Sequence, residues 1–189
     1  MYQTFSKFLN DRMPIKSQAH VSKGGYVQVG FGQVEPNHLS AQRTAQIYGQ
    51  LPAAPSIDVL EQGQFVKYDY AANGNGIGEV NFTGKGEWML VFNEIKLYDE
   101  RKQMYRDYAM KKADSVDGKM VPRLFKINIG DIYTTNMIDE IDPAVGSFLK
   151  INTNGILTTG EETDVPCFQV AKRYTLADGQ DAVKVVRIK

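Results

Sequence analysis

Alternation of apolar and polar side chains is the clearest pattern in this chain, and it predicts β-strands. Residues 65–70 place Phe65, Lys67 and Asp69 on one side of a strand and three further residues on the other. Residues 88–92 read Trp-Met-Leu-Val-Phe, a continuous apolar run that is typical of a strand buried on both faces. Similar short runs follow to the end of the chain, separated by turn sequences such as Asn-Gly-Asn-Gly at 73–76. The pattern therefore predicts a mainly β fold.

Short sequence words recur in the same order along the chain, which predicts an internal duplication. They are Ile-Tyr at 47–48 and 132–133, Gly-x-Phe-x-Lys at 63–67 and 146–150, and Phe-x-x-x-Lys-x-Tyr at 92–98 and 168–174. If these words are equivalent, four aromatic residues are matching core positions: Phe65, Phe148, Phe92 and Phe168.

The repeat divides the chain into two small antiparallel β-barrel or β-sandwich modules. The first module covers residues 25–129 and the second covers residues 130–189, where short strands follow one another at the spacing of a small barrel. The final apolar run, at 182–188, predicts that the C-terminus is a strand of the second module.

The first module is predicted to carry a helical insertion at about 99–113. Good helix formers fill residues 100–104, and Asp107 and Lys111 form an i, i+4 pair. Met104, Tyr105 and Tyr108 make the apolar side of this helix. The matching place in the second copy holds only a short Asp-Gly turn. Because insertions on a rigid scaffold often carry specific contacts, we expect these three side chains to bind a partner.

Residues 1–24 are predicted to form an arm and a linker that precede the first module. Phe5, Phe8 and Leu9 lie at i, i+3 and i+4 and give a short helix one apolar stripe, to which Tyr2 adds a further aromatic ring. A helix this short is not stable alone, so we expect the stripe to pack on a partner. The polar stretch that follows, up to a Gly-Gly pair, is typical of a linker.

The composition is that of a folded protein without a strong overall electrostatic field. The chain has 189 residues, of which 42% are hydrophobic, enough for a sizeable core. The 22 basic and 22 acidic side chains cancel to a formal net charge of +0, which argues against general attraction to nucleic acid or to an anionic membrane. The sequence contains no apolar run near the length of about 18 residues that a membrane helix needs, so we expect an aqueous compartment.

Residues capable of chemistry are few, and their spacing favours structural roles. Cys167 is the only cysteine, which excludes an intrachain disulfide and a cysteine-based zinc site, and its apolar neighbours predict a core thiol. His20 and His38 have no ligand or triad partner at a suitable spacing. The acidic clusters at 139–142 and 161–164 lack the glycine-spaced pattern of a calcium loop. We therefore expect no catalytic residue, no metal and no cofactor.

The repeated Phe, Lys and Tyr residues admit two interpretations. Aromatic and lysine side chains on neighbouring strands can stack bases and hold phosphates. Phe65 and Lys67 can instead combine a core ring with a lysine that extends past it to solvent. The zero net charge favours the second interpretation.

Residues 130–189 resemble the small β-barrel proteins that decorate or cement the capsids of tailed phages. The resemblance rests on a Gly-Asp-Ile-Tyr-Thr-Thr opening, a Gly-x-Phe-Leu-Lys strand, an Asn-x-Asn-Gly-Ile-Leu hairpin, the Phe-x-Val-x-Lys-x-Tyr strand and a final Asp-Gly-Gln-Asp-Ala-Val-Lys-Val. It covers about a third of the chain, and the first module shares the pattern more loosely.

The resemblance implies a non-enzymatic virion protein, made in the host cytoplasm, that binds the assembled shell and stabilises it. Its expected partners are the major capsid protein and neighbouring copies of itself, with no membrane. A head–tail or fibre-anchoring adaptor is the alternative. A nucleic-acid-binding barrel and an enzyme remain as further classes, the first testable by strongly salt-dependent binding to single strands.

Overall fold

The computed structural model describes residue 26 and residues 31–41, 47–48, 51–69, 78–93, 109–139 and 142–189. Strands make up 42% of the residues in these ranges, so the predicted mainly β fold is confirmed. The strands in these ranges are β1 Val34–His38, β2 Ile47–Tyr48, β3 Val59–Glu61, β4 Phe65–Asp69, β5 Glu79–Asn81, β6 Trp88–Val91, β7 Ala109–Lys111, β8 Leu124–Phe125, β9 Ile132–Thr135, β10 Phe148–Ile151, β11 Leu157–Thr159, β12 Phe168–Thr175 and β13 Asp181–Arg187.

The strands form three antiparallel sheets. Sheet one has the order β2-β8-β6-β4-β5, and sheet two has the order β1-β9-β13-β12-β10-β11. The third is a two-stranded ribbon of β3 and β7. None of them closes on itself in the described part of the chain, so the barrel form of the prediction is not confirmed. β1 is an edge strand of sheet two although it belongs by sequence to the first module.

The sheets stack in layers, with the ribbon on one side of sheet one and sheet two on the other. Phe65, Leu90 and Phe125 of sheet one are buried in a common cluster with the inner face of sheet two. The Phe65 and Phe168 rings, one from each sheet, have centroids 5.6 Å apart. The opposite side of sheet one packs with the ribbon in a second cluster, which includes Leu60. Sheet one is therefore covered on both faces.

Sheet one and the last five strands of the chain have the same topology. If β2, β4, β5, β6 and β8 are matched in order to β9, β10, β11, β12 and β13, the order of sheet one becomes β9-β13-β12-β10-β11. This is the observed order of sheet two without its edge strand β1. We call β2, β4, β5, β6 and β8 the first unit, and β9 to β13 the second unit.

The register of the strands matches as well as their order. Phe65 lies opposite Leu90, and at the same place in the second unit Phe148 lies opposite Gln169. Further pairs follow the same correspondence: Val91–Leu124 with Val170–Val185, Ile47–Phe125 with Ile132–Val186, and Tyr68–Val80 with Ile151–Leu157. A parallel bridge from Ala53 to Val80 likewise matches one from Ile138 to Leu157.

The turns before β4 and β10 explain the first repeated word. Gly63 and Gly146 have φ angles of 82° and 89°, in the left-handed region that favours glycine. The Gly63 amide donates to the Val91 carbonyl at 3.0 Å, and the Gly146 amide donates to the Val170 carbonyl at 2.8 Å. The glycine thus begins the strand in the same way in both units.

The second repeated word does not mark equivalent positions. Because Val91 corresponds to Val170, Phe168 corresponds to Met89 and not to Phe92. The prediction that Phe92 and Phe168 match is therefore wrong. Phe148 is also not a core residue, because it lies half-buried on the face of sheet two that points away from sheet one.

The helical insertion predicted at about 99–113 is not confirmed. Residues 99–108 lie outside the described residues. Ala109–Lys111 form β7, and a 3-10 turn covers Lys112–Asp114. Backbone pairing of β7 with β3 supplies hydrogen bonds that override the local helix propensity of these residues.

Candidate functional site

The predicted partner-binding side chains cannot be placed. Residues 1–25 and 94–108 lie outside the described ranges, and these include all seven candidates: Tyr2, Phe5, Phe8, Leu9, Met104, Tyr105 and Tyr108. Their role stays a prediction. The candidate surfaces that the structure does describe are a cleft between the two large sheets and the outer face of sheet two.

The cleft has a volume of about 300 Å³ and lies where sheet one meets the start of β12. Its apolar walls include Phe65, Trp88 and Val165, of which Val165 is 77% exposed. The Lys67 ammonium stands 4.7 Å from the centre of the Trp88 ring, a cation–π arrangement. As the sequence indicated, Phe65 is a core ring and Lys67 extends past it.

The charged groups around this cleft have partners inside the protein. Glu87 forms an ion pair with Lys126 at 2.9 Å. Arg187 donates to the carbonyl groups of Ile127 and Lys189. Because these charged groups bind partners within the protein, the cleft suits the packing of an apolar group better than recognition of a charged ligand.

The outer face of sheet two is the second candidate surface. A bulge in β12 decides which residues of that strand lie on it. Val170 pairs with Val185, but the next pair is Lys172 with Lys184, so the bulge moves one residue out of the alternation. Val170 and Val185 point into the core, and Lys172 and Lys184 therefore lie on the opposite face. Strict alternation from Phe168 would have placed Lys172 inside, which is why sequence reasoning missed this face.

Directly paired residues share a face, which identifies the rest of this surface. Its central row is Phe148, Gln169, Val186 and Ile132. Lys150 and Lys184 lie on the same side, two residues along from Phe148 and Val186, and Lys172 is paired with Lys184. The face is thus partly apolar and carries three lysines, of which Lys150 forms an ion pair with Asp164. Glu35 lies on the same side, opposite the buried Thr134 that pairs with Lys184.

Cys167 is buried and serves as a core thiol, as predicted. Burial raises the pKa of this thiol, and the nearby Asp164 carboxylate raises it further. A thiol with a raised pKa holds little of the nucleophilic thiolate form at neutral pH. The structure therefore assigns Cys167 no reactive role.

The loop acids make local contacts. The Glu161 amide donates to the Asp164 carboxylate at 2.7 Å, and Asp142 forms an ion pair with Arg173. In the described ranges, no group of three or more His, Cys, Asp or Glu side chains is placed to hold a metal ion.

Among the described residues, no helix has the length and apolar character needed to span a membrane. No family model matches the chain, and neither a curated protein nor a solved structure shows significant similarity to it.

Proposed function

We propose that this chain is a non-enzymatic structural protein of a phage virion that binds the assembled capsid shell and stabilises it. The observation that carries the proposal is that the segment resembling capsid decoration proteins, residues 130–189, folds as one five-stranded unit whose outer face is partly exposed. The unit's other face packs against the rest of the chain. An anchored sheet with a partly exposed outer face suits a protein that sits on another protein's surface.

Stabilisation of a shell needs only modest individual contacts. A decoration protein that bridges neighbouring shell subunits gains from multivalency, because each further contact of a bound copy is intramolecular. Standard interfaces bury about 800 Å² on each partner. In this proposal the arm residues Tyr2, Phe5, Phe8 and Leu9 reach a neighbouring copy or the major capsid protein, and the side chains Met104, Tyr105 and Tyr108 add a second contact.

We also propose that the two units arose by internal duplication. Equal strand order, equal register across all five strands and the shared glycine turn support this origin. Chance convergence would have to reproduce each of these features separately. The insertion between β6 and β8, which contains β7, is then the main departure of the first unit from the second.

The direct test is to add the purified full chain to empty, expanded shells of the virion that carries it. We expect saturable binding at a fixed ratio to the major capsid protein, and a higher temperature of shell disruption. Failure to bind any shell contradicts the proposal. Binding of only six or twelve copies per particle, in place of hundreds, identifies an adaptor at the head–tail junction or a fibre base.

Deletion of residues 1–24 tests the arm separately. We expect the shortened protein to keep its thermal unfolding transition and to bind shells less tightly, because a contact that folds on binding is lost. Unchanged shell binding by the shortened protein excludes the arm as a clamp.

A further inference from the structure

The cleft between the two large sheets has apolar walls that remain partly exposed to solvent. Among the residues that line it, Trp88 is half-buried and Val165 is 77% exposed, whereas the Phe65 and Phe168 rings are buried. Its volume of about 300 Å³ is at the lower end of the range for ligand sites. The cleft therefore has room for one or two apolar side chains.

The chain itself supplies an apolar segment that needs a surface to pack on. Phe5, Phe8 and Leu9 form the stripe of the N-terminal arm, whose residues lie outside the described ranges. A helix as short as this one gains stability only from packing. Phenylalanine rings suit a wall that contains Trp88, because aromatic pairs gain energy beyond the burial of their area.

The arm leaves the described chain within reach of this cleft. Tyr26 lies beside Tyr174 and Ala182, at the hairpin end of β12. The cleft lies at the other end of that strand, beside Phe168, and is about 20 Å away at about 3.3 Å per residue. Residues 10–25 separate the stripe from Tyr26, and extended chain of that length spans roughly 50 Å. The stripe can therefore reach the cleft of its own chain.

A second cavity lies nearer to Tyr26 but has the wrong chemistry for the stripe. It has a volume of about 180 Å³, and its lining includes Arg173, Thr175 and Asp181. A phenylalanine ring placed there would cover charged and hydroxyl groups without replacing their contacts with water. The cleft at Trp88 is the better match.

We propose that in the free protein the stripe of Phe5, Phe8 and Leu9 docks into the cleft of its own chain, against Trp88 and Val165. Because a contact within one chain has a high effective concentration, a copy in dilute solution fills its own cleft before that of another copy. On a shell, neighbouring copies are held close together, and the stripe passes to a neighbour's cleft by exchange of an identical element. That exchange rests on the proposed function, whereas docking in the free protein does not.

Trp88 is the only tryptophan of the chain, so its fluorescence reports on the cleft. When residues 1–24 are deleted, we expect acrylamide to quench this fluorescence roughly twofold more strongly, because the ring loses an aromatic cover. The shortened protein should keep a cooperative unfolding transition. A synthetic peptide of residues 1–16 should reverse the change in a saturable way. Quenching that the deletion leaves unchanged overturns the inference.

Two double variants of the full chain give the same test without a deletion. Phe5→Ser with Phe8→Ser removes the aromatic part of the stripe, whereas Gln3→Ser with Asn10→Ser alters the opposite side of the same predicted helix. We expect the first variant to be quenched as strongly as the shortened protein and the second to match the unaltered chain. Equal quenching of the two variants would contradict docking through the stripe.

The wall of the cleft is tested in the shortened protein with the same peptide. Val165→Asp places a charge on that wall, and Val145→Asp makes the same change at a valine that is 62% exposed and does not line the cleft. We expect Val165→Asp to weaken peptide binding by roughly tenfold and Val145→Asp to leave it within about twofold. A peptide that binds both variants equally well docks elsewhere, and the assignment of the cleft is then overturned.

The mass of the full chain in solution distinguishes docking within one chain from exchange between copies. We expect a monomer by light scattering and a degree of quenching that does not depend on protein concentration. A dimer in which Trp88 becomes more accessible on dilution would place the arm of a second copy in the cleft and overturn docking within one chain. If the fluorescence results hold and the chain binds no shell, the proposed function fails and docking stands. If the deletion leaves quenching unchanged and the chain binds shells, docking fails and the proposed function stands.

Discussion

Residues at equivalent positions in the two units have unequal burial, which makes them a natural pair of probes. Phe65 is 1% exposed and contacts the Phe168 and Tyr133 rings across the sheets. Phe148 occupies the same register position on the outer face of the second unit, where it is partly exposed. Equivalent backbone position therefore does not imply equal contribution to stability.

We predict that Phe65→Ala lowers the free energy of unfolding by about 3–5 kcal/mol, because it leaves a cavity between the sheets. Phe148→Ala should lower it by about 1 kcal/mol, since that side chain is already partly in contact with water. Urea unfolding of both variants measures the difference. Equal losses would contradict the assignment of the two faces.

Tyr133 lies in the same core and makes stability depend on alkaline pH. Burial raises the pKa of its hydroxyl well above the ordinary value of 10.0. The hydroxyl has no hydrogen-bond partner among the described residues. Above pH 10 the unfolded chain loses this proton before the folded protein does, so its contribution to stability is complete below pH 10 and declines as the pH rises further.

We predict that Tyr133→Phe reduces the loss of stability between pH 9 and pH 11, by up to about 1.4 kcal/mol per pH unit above pH 10. At pH 7 the variant should be at least as stable as the original, because no hydrogen bond within the described residues is removed. Denaturant unfolding at pH 7, pH 9 and pH 11 measures the stability of each variant, with Tyr174→Phe on the outer face as the control. A decline in Tyr133→Phe as steep as in the original chain would show that other groups carry the alkaline dependence.

At the scale of elements, the glycine turn is shared by the two units but its surroundings differ. A Cβ atom on Gly146 would meet nothing within 4 Å. A Cβ atom on Gly63 would lie 2.7 Å from the Thr135 Oγ1 atom and 3.1 Å from Met137 and Val34 atoms. Thr135 and Val34 belong to sheet two, and Met137 follows its strand β9, so the turn of the first unit also packs against sheet two.

We predict that Gly146→Ala costs about 1–2 kcal/mol, the strain of a positive φ alone. Gly63→Ala should cost a further 1–3 kcal/mol, because overpacking displaces residues of sheet two. Thermal or urea unfolding of the two variants supplies the comparison. A larger loss for Gly146→Ala would be inconsistent with the packing around Gly63.

Elements also show why local sequence misassigned two features. Residues 109–111 contain helix formers, yet they pair with β3 because that strand offers free backbone groups to satisfy. The bulge after Val170 exchanges the inward and outward faces in the second half of β12. No residue type in that strand indicates the bulge. The first outcome depends on a strand that is distant in sequence, and the second depends on how β12 pairs with β13, the next strand along the chain.

At the scale of the whole molecule, the second unit depends on the first. The buried cluster at its inner face includes Phe65, Leu90 and Phe125, all from the first unit. The Phe65 amide also donates to the Gly155 carbonyl in the hairpin between β10 and β11, at 2.7 Å. The module predicted at 130–189 thus shares its core with the first unit.

We predict that a fragment of residues 130–189 does not unfold cooperatively on its own, because its inner face loses the side chains that cover it. The full chain should unfold in a cooperative transition under the same conditions. Circular dichroism on heating and the dispersion of amide signals in NMR provide the measurement. A folded fragment with a sharp transition would show that the first unit is dispensable for the second.

Local sequence predicted several strands, among them β4, β6 and β13, and the first repeated word. Alternation at Phe65 and Lys67 and the glycines at 63 and 146 carry that information, because strand periodicity and positive φ are properties of a few neighbouring residues. Which face of a strand is buried was settled by long-range packing. Phe65 is fully buried because sheet two lies against the first unit, whereas Phe148, at the matching position of the second unit, is only partly buried.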